Sequence, residues 1–367
     1  MCCDRLEDHC HERRLDAHSS GNYFYMHIKE RFQNNYDLLR ILAAFCIIFF
    51  HSFALVGKTI QEPLVVLSDG RINFSFIGLS IFFCISGYLI GKSAVKSPSL
   101  SNYLWKRLLR IQPLLIATCF TTVFILGPFL SEIPLKEYFL DRHTYTYFRN
   151  ILPVFGIQFT LPGVFVHQLA DKGINGSLWT LIVEERMYLL MTAVFLYRKD
   201  KSFYFIFLIV LLNLFYLVNR YLFYGEMLPY FSNLAFFYAL LFLNSAALYL
   251  TNFWFKNKLS LVIILAFIGF FLAVIFDGID FIYFISLPLL VNGVAKIKGK
   301  TNYAGKYGDF TYGSYVFSFP VQQILISKGI LNPYHVFFLT LAIVLPLAVL
   351  SWNLIEKRFL RLRHKVK

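Results

Sequence analysis

The stretch YDLLRILAAFCIIFFHSFALVG, residues 36–57, has the apolar length to cross a bilayer as one helix, yet it carries Arg40 and His51. A span needs about 20 predominantly apolar residues. Eleven steps of about 100° bring Arg40 and His51 to one helix face, about 16 Å apart along the axis. An ionisable side chain in hydrocarbon costs at least about 2.5 kcal/mol, so a face holding two is expected to line a cavity rather than meet lipid. The alternative is an arginine snorkelling at a span end and a hydrogen-bonded core histidine. The remainder of the chain decides between them.

Working outward, apolar runs recur at 38–57, 73–91, 111–130, 178–197, 203–219, 231–250, 260–276, 279–295, 309–327 and 335–355. They predict an all-α integral membrane protein, a bundle of about ten transmembrane helices embedded in a lipid bilayer. Composition agrees, with 57% hydrophobic and only 15% charged residues among 367. Between the third and fourth runs, ILPVFGIQFTLPGVFV (151–166) is interrupted by Pro and Gly and reads as a half-span or re-entrant piece.

Lysine and arginine placement sets the expected orientation. With both termini cytoplasmic, the inner tails and connections hold 25 of the 35 basic residues and the outer ones 8, leaving Arg40 and Arg186 within spans. The net charge of +14 is therefore face anchoring, and nucleic acid is not an expected partner. A multi-pass membrane protein is expected. Residues 1–30 read as a disordered polar leader, with Met26 as a natural start, ahead of a single membrane domain over 31–367. Cys2, Cys3 and Cys10 accompany His9, His11 and His18 there, without the paired spacing of a zinc site, so no metal is expected.

Three further stretches carry chemistry. In KRLLRIQP, Arg107 and Arg110 project from one side of a helix start, where two bidentate forks suit the phosphates of a nucleotide-like ligand. Positive-inside anchoring is the competing reading. FFCISGYLIG places Ser86 and Gly87 where a backbone or a ligand approaches closely. NGSLWTLIVEERMYLL puts Ser177 and Glu184 on one face, Trp179 at an expected outer interface, and Glu184, Glu185 and Arg186 inside an apolar run. A carboxylate there invites a histidine from another span, which would orient the imidazole and raise its basicity. The external segment 131–176 is long enough to cap a cavity or bind an acceptor. Tyr312, Tyr315, Gln322 and Gln323 are polar candidates near the C-terminus, and Glu356 beside Lys357 and Arg358 reads as an interfacial ion cluster.

These residues resemble the acyltransferase 3 family of membrane acyltransferases. Asp37, Arg40 and His51 match its D-x-x-R-x10-H stretch. Phe82, Phe83, Ser86, Gly87 and Tyr88 are similar to FF-x-x-SGF-L. Arg107, Arg110 and Pro113 are similar to R-x-x-R-I-x-P, and Ser177, Leu178, Trp179, Glu184 and Tyr188 to SLW-S-L-x-x-E-x-x-x-Y. The resemblance runs over about 36–360 in unbroken order. It implies a ten-helix transferase with no permanently bound cofactor, using acetyl-CoA or another acyl-CoA as donor and a carbohydrate hydroxyl as acceptor, in O-antigen, exopolysaccharide or a lipid-linked sugar. The family's histidine maps to His51 and its arginine pair to Arg107 and Arg110. On that basis we expect His51 as base or transient acyl carrier with Glu184 as its support, Arg40 with Arg107 and Arg110 on the CoA phosphates, Ser86 beside the donor and, like Tyr88, a candidate to stabilise the oxyanion, in a protein of the bacterial inner membrane. One departure stands out: Ser318 in YVFSFP occupies the place where many members carry a histidine. The rival class is a transporter or flippase of a lipid-linked saccharide, in which the same charges would line a path; a purely structural export subunit would tolerate loss of His51.

Overall fold

The computed structural model describes residues 34–168, 170–196, 202–223, 227–251, 258–276 and 279–364. The expected leader and the Met26 start lie outside these residues. The main helices are α1 (Tyr36–Ala54), α2 (Phe74–Lys96), α3 (Leu100–Thr121), α4 (Trp179–Leu190), α5 (Ser202–Tyr221), α6 (Tyr230–Leu250), α7 (Leu259–Ile275), α8 (Tyr283–Ala295), α9 (Thr311–Ser327) and α10 (Pro333–Ser351). Six of them, α1, α2, α3, α5, α6 and α10, have the length and composition to cross a membrane, and α7 and α8 are shorter apolar helices. Among the described residues there is no β-strand, only an isolated bridge between Ser131 and Val164. The chain is an all-α membrane protein, as its apolar runs predict.

Local chemistry starts these helices where the sequence changes character. The Asn73 side chain accepts from the Phe76 N–H at 2.7 Å to begin α2, and Ser99, just after Pro98, accepts from the Asn102 N–H at 3.2 Å to begin α3. Asn332 caps α10, with Pro333 at the first helical position where no N–H is wanted. Both α3 and α10 pass into a π turn, at Thr122–Leu126 and Trp352–Glu356, before a last turn of α-helix.

The core is centred on α2, which runs antiparallel to α1 and parallel to α6. Gly87 answers the question its sequence left open: a Cβ there would strike the backbone of Phe242 in α6, so this glycine serves helix–helix approach rather than a ligand. One turn away, the Phe83 and Tyr238 rings stack at 5.2 Å. Trp179, expected at an outer interface, instead packs inside against Tyr238 at 6.1 Å.

Segment 131–176 explains that displacement. Part of it folds back onto the bundle through short helical turns, while Leu140, Phe155 and His167 stay exposed. Asn150 and Gln158 close it reciprocally, through Nδ2 to the Gln158 carbonyl (2.8 Å) and the Gln158 N–H to Oδ1 (2.6 Å). The Val154 N–H reaches Glu185 Oε2 at 2.8 Å, while Gln112 in the middle of α3 donates to Glu185 Oε1 at 2.6 Å. Buried backbone polar groups need such partners, and Glu185 supplies one inside the bundle. The piece expected to be re-entrant, 151–166, thus contacts mid-helix residues.

Candidate active site

A cavity of about 440 Å³ opens at the end of the bundle where α1, α3 and α9 begin, here termed the proximal end. Arg40, Ser86, Arg107, Arg110, Glu184 and Asp309 all line it. They come from α1, α2, α3, α4 and the loop before α9, so residues 269 positions apart in sequence share one wall.

The three guanidinium groups are not equivalent. Arg110 Nη2 meets Asp309 Oδ2 at 2.6 Å, and its Nη1 lies 4.0 Å from Glu356 Oε2. Arg40 Nη1 lies 3.7 Å from the same Asp309 oxygen and 3.8 Å from Asp37 Oδ1. Asp309 therefore bridges two arginines, with Thr311 Oγ1 donating to its other oxygen at 2.5 Å. Arg107 has no carboxylate within 4.0 Å among the described residues. Its Nη2 donates to Ser93 Oγ at 3.3 Å, its Nε has no partner, and the group sits 5.7 Å from the Tyr188 ring centre and 5.9 Å from that of Tyr103. A charge-saturated Arg110 braces the wall, and Arg107 retains donor capacity for an anion.

Glu184 faces the cavity from α4 and accepts a hydrogen bond from the Tyr188 hydroxyl one turn on. His51 does not line the cavity. Its ring packs edge-on against Phe319 of α9 at 5.3 Å and against Phe50 at 5.6 Å, and among the described residues no hydrogen bond is formed to its nitrogens. The expected His51–Glu184 pairing is not made. That expectation went with Trp179, and so the start of α4, at the outer interface. In fact Tyr315 of α9 donates to the Ser177 carbonyl at 2.6 Å just ahead of α4, so that helix begins inside the bundle and carries Glu184 to the proximal half.

The other polar candidates separate cleanly. Tyr312 and Tyr315 line the cavity, with Tyr312 donating to the Ile111 carbonyl at 3.0 Å. Gln322 and Gln323 do not: the first donates to the Ile48 carbonyl and Ser52 Oγ, the second to the carbonyls of Asp171 and Gly173. Ser318 is buried and donates to the Tyr315 carbonyl at 3.1 Å, a helix-internal bond. Glu356, read as an interfacial cluster with Lys357 and Arg358, is in fact 3% exposed, accepts from Ser351 Oγ at 3.1 Å and turns toward Arg110, because the π turn rotates it inward.

A family model described as an acyltransferase domain, Acyl_transf_3, matches residues 33–353, the region that holds every wall of this cavity except its far C-terminal rim. The chain belongs to the acyltransferase 3 family. Over 338 residues this acyltransferase is 32% identical to a protein named O-acetyl transferase from Shigella phage Sf6, covering 89% of the chain and 96% of that relative. It is 30% identical over 178 residues to Nodulation protein 10 of Rhizobium leguminosarum bv. viciae, covering 47% of the chain and 44% of that protein. No solved structure matches it.

Two carboxylates that balance the arginines of this cavity carry no sequence signal for it, Asp309 in its wall and the inward Glu356 behind Arg110. Asp309 stands in a short YGDFTYG loop like any solvated turn aspartate, and its partners lie 199 and 269 positions away. The available signal was arithmetic: three arginines expected in one cavity call for buried carboxylates.

Proposed function

We propose that this acyltransferase takes an acetyl or other short acyl group from acyl-CoA and delivers it to a hydroxyl of a cell-surface or lipid-linked carbohydrate. It does so in a bacterial inner membrane with both termini cytoplasmic, which makes the proximal end the cytoplasmic one. The observation that carries this reading is Arg107: a cavity-lining guanidinium with no carboxylate partner among the described residues, beside two arginines whose charge is already matched. Such a group suits phosphate, which a planar fork binds bidentately. The name of the phage relative, O-acetyl transferase, supports the acyl group and the oxygen nucleophile.

In this mechanism the CoA phosphates meet Arg107 and the Arg40–Arg110 wall, and the thioester points inward past Ser86. His51 takes the proton from the acceptor hydroxyl as its oxygen attacks the thioester carbonyl carbon. The C–S bond breaks, and the imidazolium returns the proton to the departing CoA thiolate. Glu184 holds Tyr188 beneath the Arg107 guanidinium and so positions the donor rather than the base. The test is thiol release from acetyl-CoA by purified protein in nanodiscs, with and without lipid-linked oligosaccharide. Saccharide-dependent release together with acetylated saccharide is the expected result; release of neither product overturns the reading.

A further inference from the structure

His51 and the cavity lie on opposite sides of an aromatic layer. The innermost lining residues of the cavity are Leu79, Phe82, Thr180 and Tyr315, and the Phe82 and Tyr315 rings meet edge-on at 6.2 Å. One helical turn beyond Tyr315, about 6 Å along α9, the buried Phe319 ring stands against His51. Phe319 packs with Leu55, Ile326 and Val336, a cluster separate from the main core to which Tyr315 belongs.

The folded-back segment holds that ring where it is. A Cβ on Gly176 would lie 2.5 Å from Phe319 Cζ and 2.7 Å from Cε2, so only glycine leaves room for the ring in this position. Next to it Asn175 is fully buried and its Nδ2 donates to the Val316 carbonyl at 2.9 Å. That carbonyl is the one freed by Pro320, which has no N–H to offer four residues on. Tyr315 is tied to the same segment through the Ser177 carbonyl. The joint carries unused capacity, since Asn175 Oδ1 and Ser177 Oγ are both buried without partners. Polar atoms in that condition gain from any rearrangement that brings them a hydroxyl.

We propose that Phe319 is a barrier ring between the donor cavity and His51, and that Asn175–Ser177 at the end of the outer segment set its position, so that donor and base meet only when that segment shifts. This rests on the reading of His51 as the reacting imidazole. Its consequence is specificity: a thioester waiting in the cavity is kept from the base, and so from base-assisted hydrolysis, until the outer segment engages an acceptor.

The test reads access and not turnover. In membrane vesicles, His51→Cys is exposed to 2-sulfonatoethyl methanethiosulfonate, an anionic reagent that does not cross the bilayer, and labelling at position 51 is followed by peptide mass spectrometry. Ser86→Cys marks the vesicle face from which the cavity is reached. From that face, Cys at 51 should label slowly, and Phe319→Ala in the same protein should raise the rate by about tenfold or more, as removal of a steric closure does for a locally gated site. Phe319→Leu should raise it less, and Gly176→Ala should raise it by displacing the ring. Equal rates in all four backgrounds, or labelling at 51 as fast as at Ser86→Cys with Phe319 intact, overturns the barrier. Phe319→Leu and Gly176→Ala carry the test if Phe319→Ala fails to insert. No acyl-CoA is consumed in this experiment, so failure of the transferase reading in the nanodisc assay and failure of the barrier are separate results.

Discussion

The two halves of this bundle solve opposite problems with the same helices. The proximal half concentrates Arg40, Arg107 and Arg110 and matches two of them with Asp309, Glu356 and Asp37. The distal half around His51 contains rings and amides: Phe319, Phe50, and Gln322 bonded to Ile48 and Ser52. α1 and α9 run through both. The contrast shows how charge is tolerated in a membrane protein: a shared carboxylate satisfies two guanidinium groups, and the third is left with donors for a ligand. It also shows that a shared helix face does not guarantee a shared cavity, since the 16 Å between Arg40 and His51 is interrupted by side chains from α2 and α9.

The largest effect that would break the comparison is on the distal side. His51→Ala should lower acyl transfer by about 10² to 10⁴-fold, the range for losing a general base, while extraction yield and elution on size exclusion stay as in wild type. Retained transfer would reduce His51 to a packing residue. On the proximal side, Asp309→Ala leaves Arg40 and Arg110 facing each other without their shared carboxylate. It should destabilise the protein by about 3–5 kcal/mol, as expected for breaking a buried ion pair, visible as a lowered unfolding temperature in detergent. An unchanged temperature would mean that the arginines find other anions.

Arg107→Lys separates fork from charge. It should raise the KM for acyl-CoA by about tenfold with kcat nearly kept, because an ammonium cannot reproduce bidentate contacts. Arg110→Lys, at a site already saturated by protein carboxylates, should appear in stability more than in KM. The smallest effect belongs to Glu185→Gln. A neutral amide still accepts from Val154 but loses the charge-assisted bonds, so about 1 kcal/mol of stability should go, seen as faster proteolysis within 151–166 and little change in donor affinity.

Much of this organisation is legible in the sequence, and the exceptions have physical causes. Hydrophobic runs mark every main helix because length and apolar content are local properties. Arg40, Ser86, Arg107, Arg110 and Glu184 meet in one cavity because each sits on a helix face whose direction follows from its spacing. Two things were hidden. The depth of Glu184 depends on where α4 begins, and that is set by a loop folding inward onto Gln112 and Glu185, a tertiary event with no local signature. The roles of Asp309 and Glu356 depend on partners far along the chain and on a π turn, and neither their spacing nor their neighbours distinguish them from surface residues.

The central claim is acyl transfer to a carbohydrate through His51, and it is tested most directly on the product. Surface glycans from cells carrying the gene, lacking it, and carrying His51→Ala are compared by mass spectrometry. The account predicts an added acyl mass on a single sugar in the first, lost on mild alkaline treatment as an ester would be, and its absence from the other two. Identical spectra from all three, or full acylation in the His51→Ala cells, would contradict it.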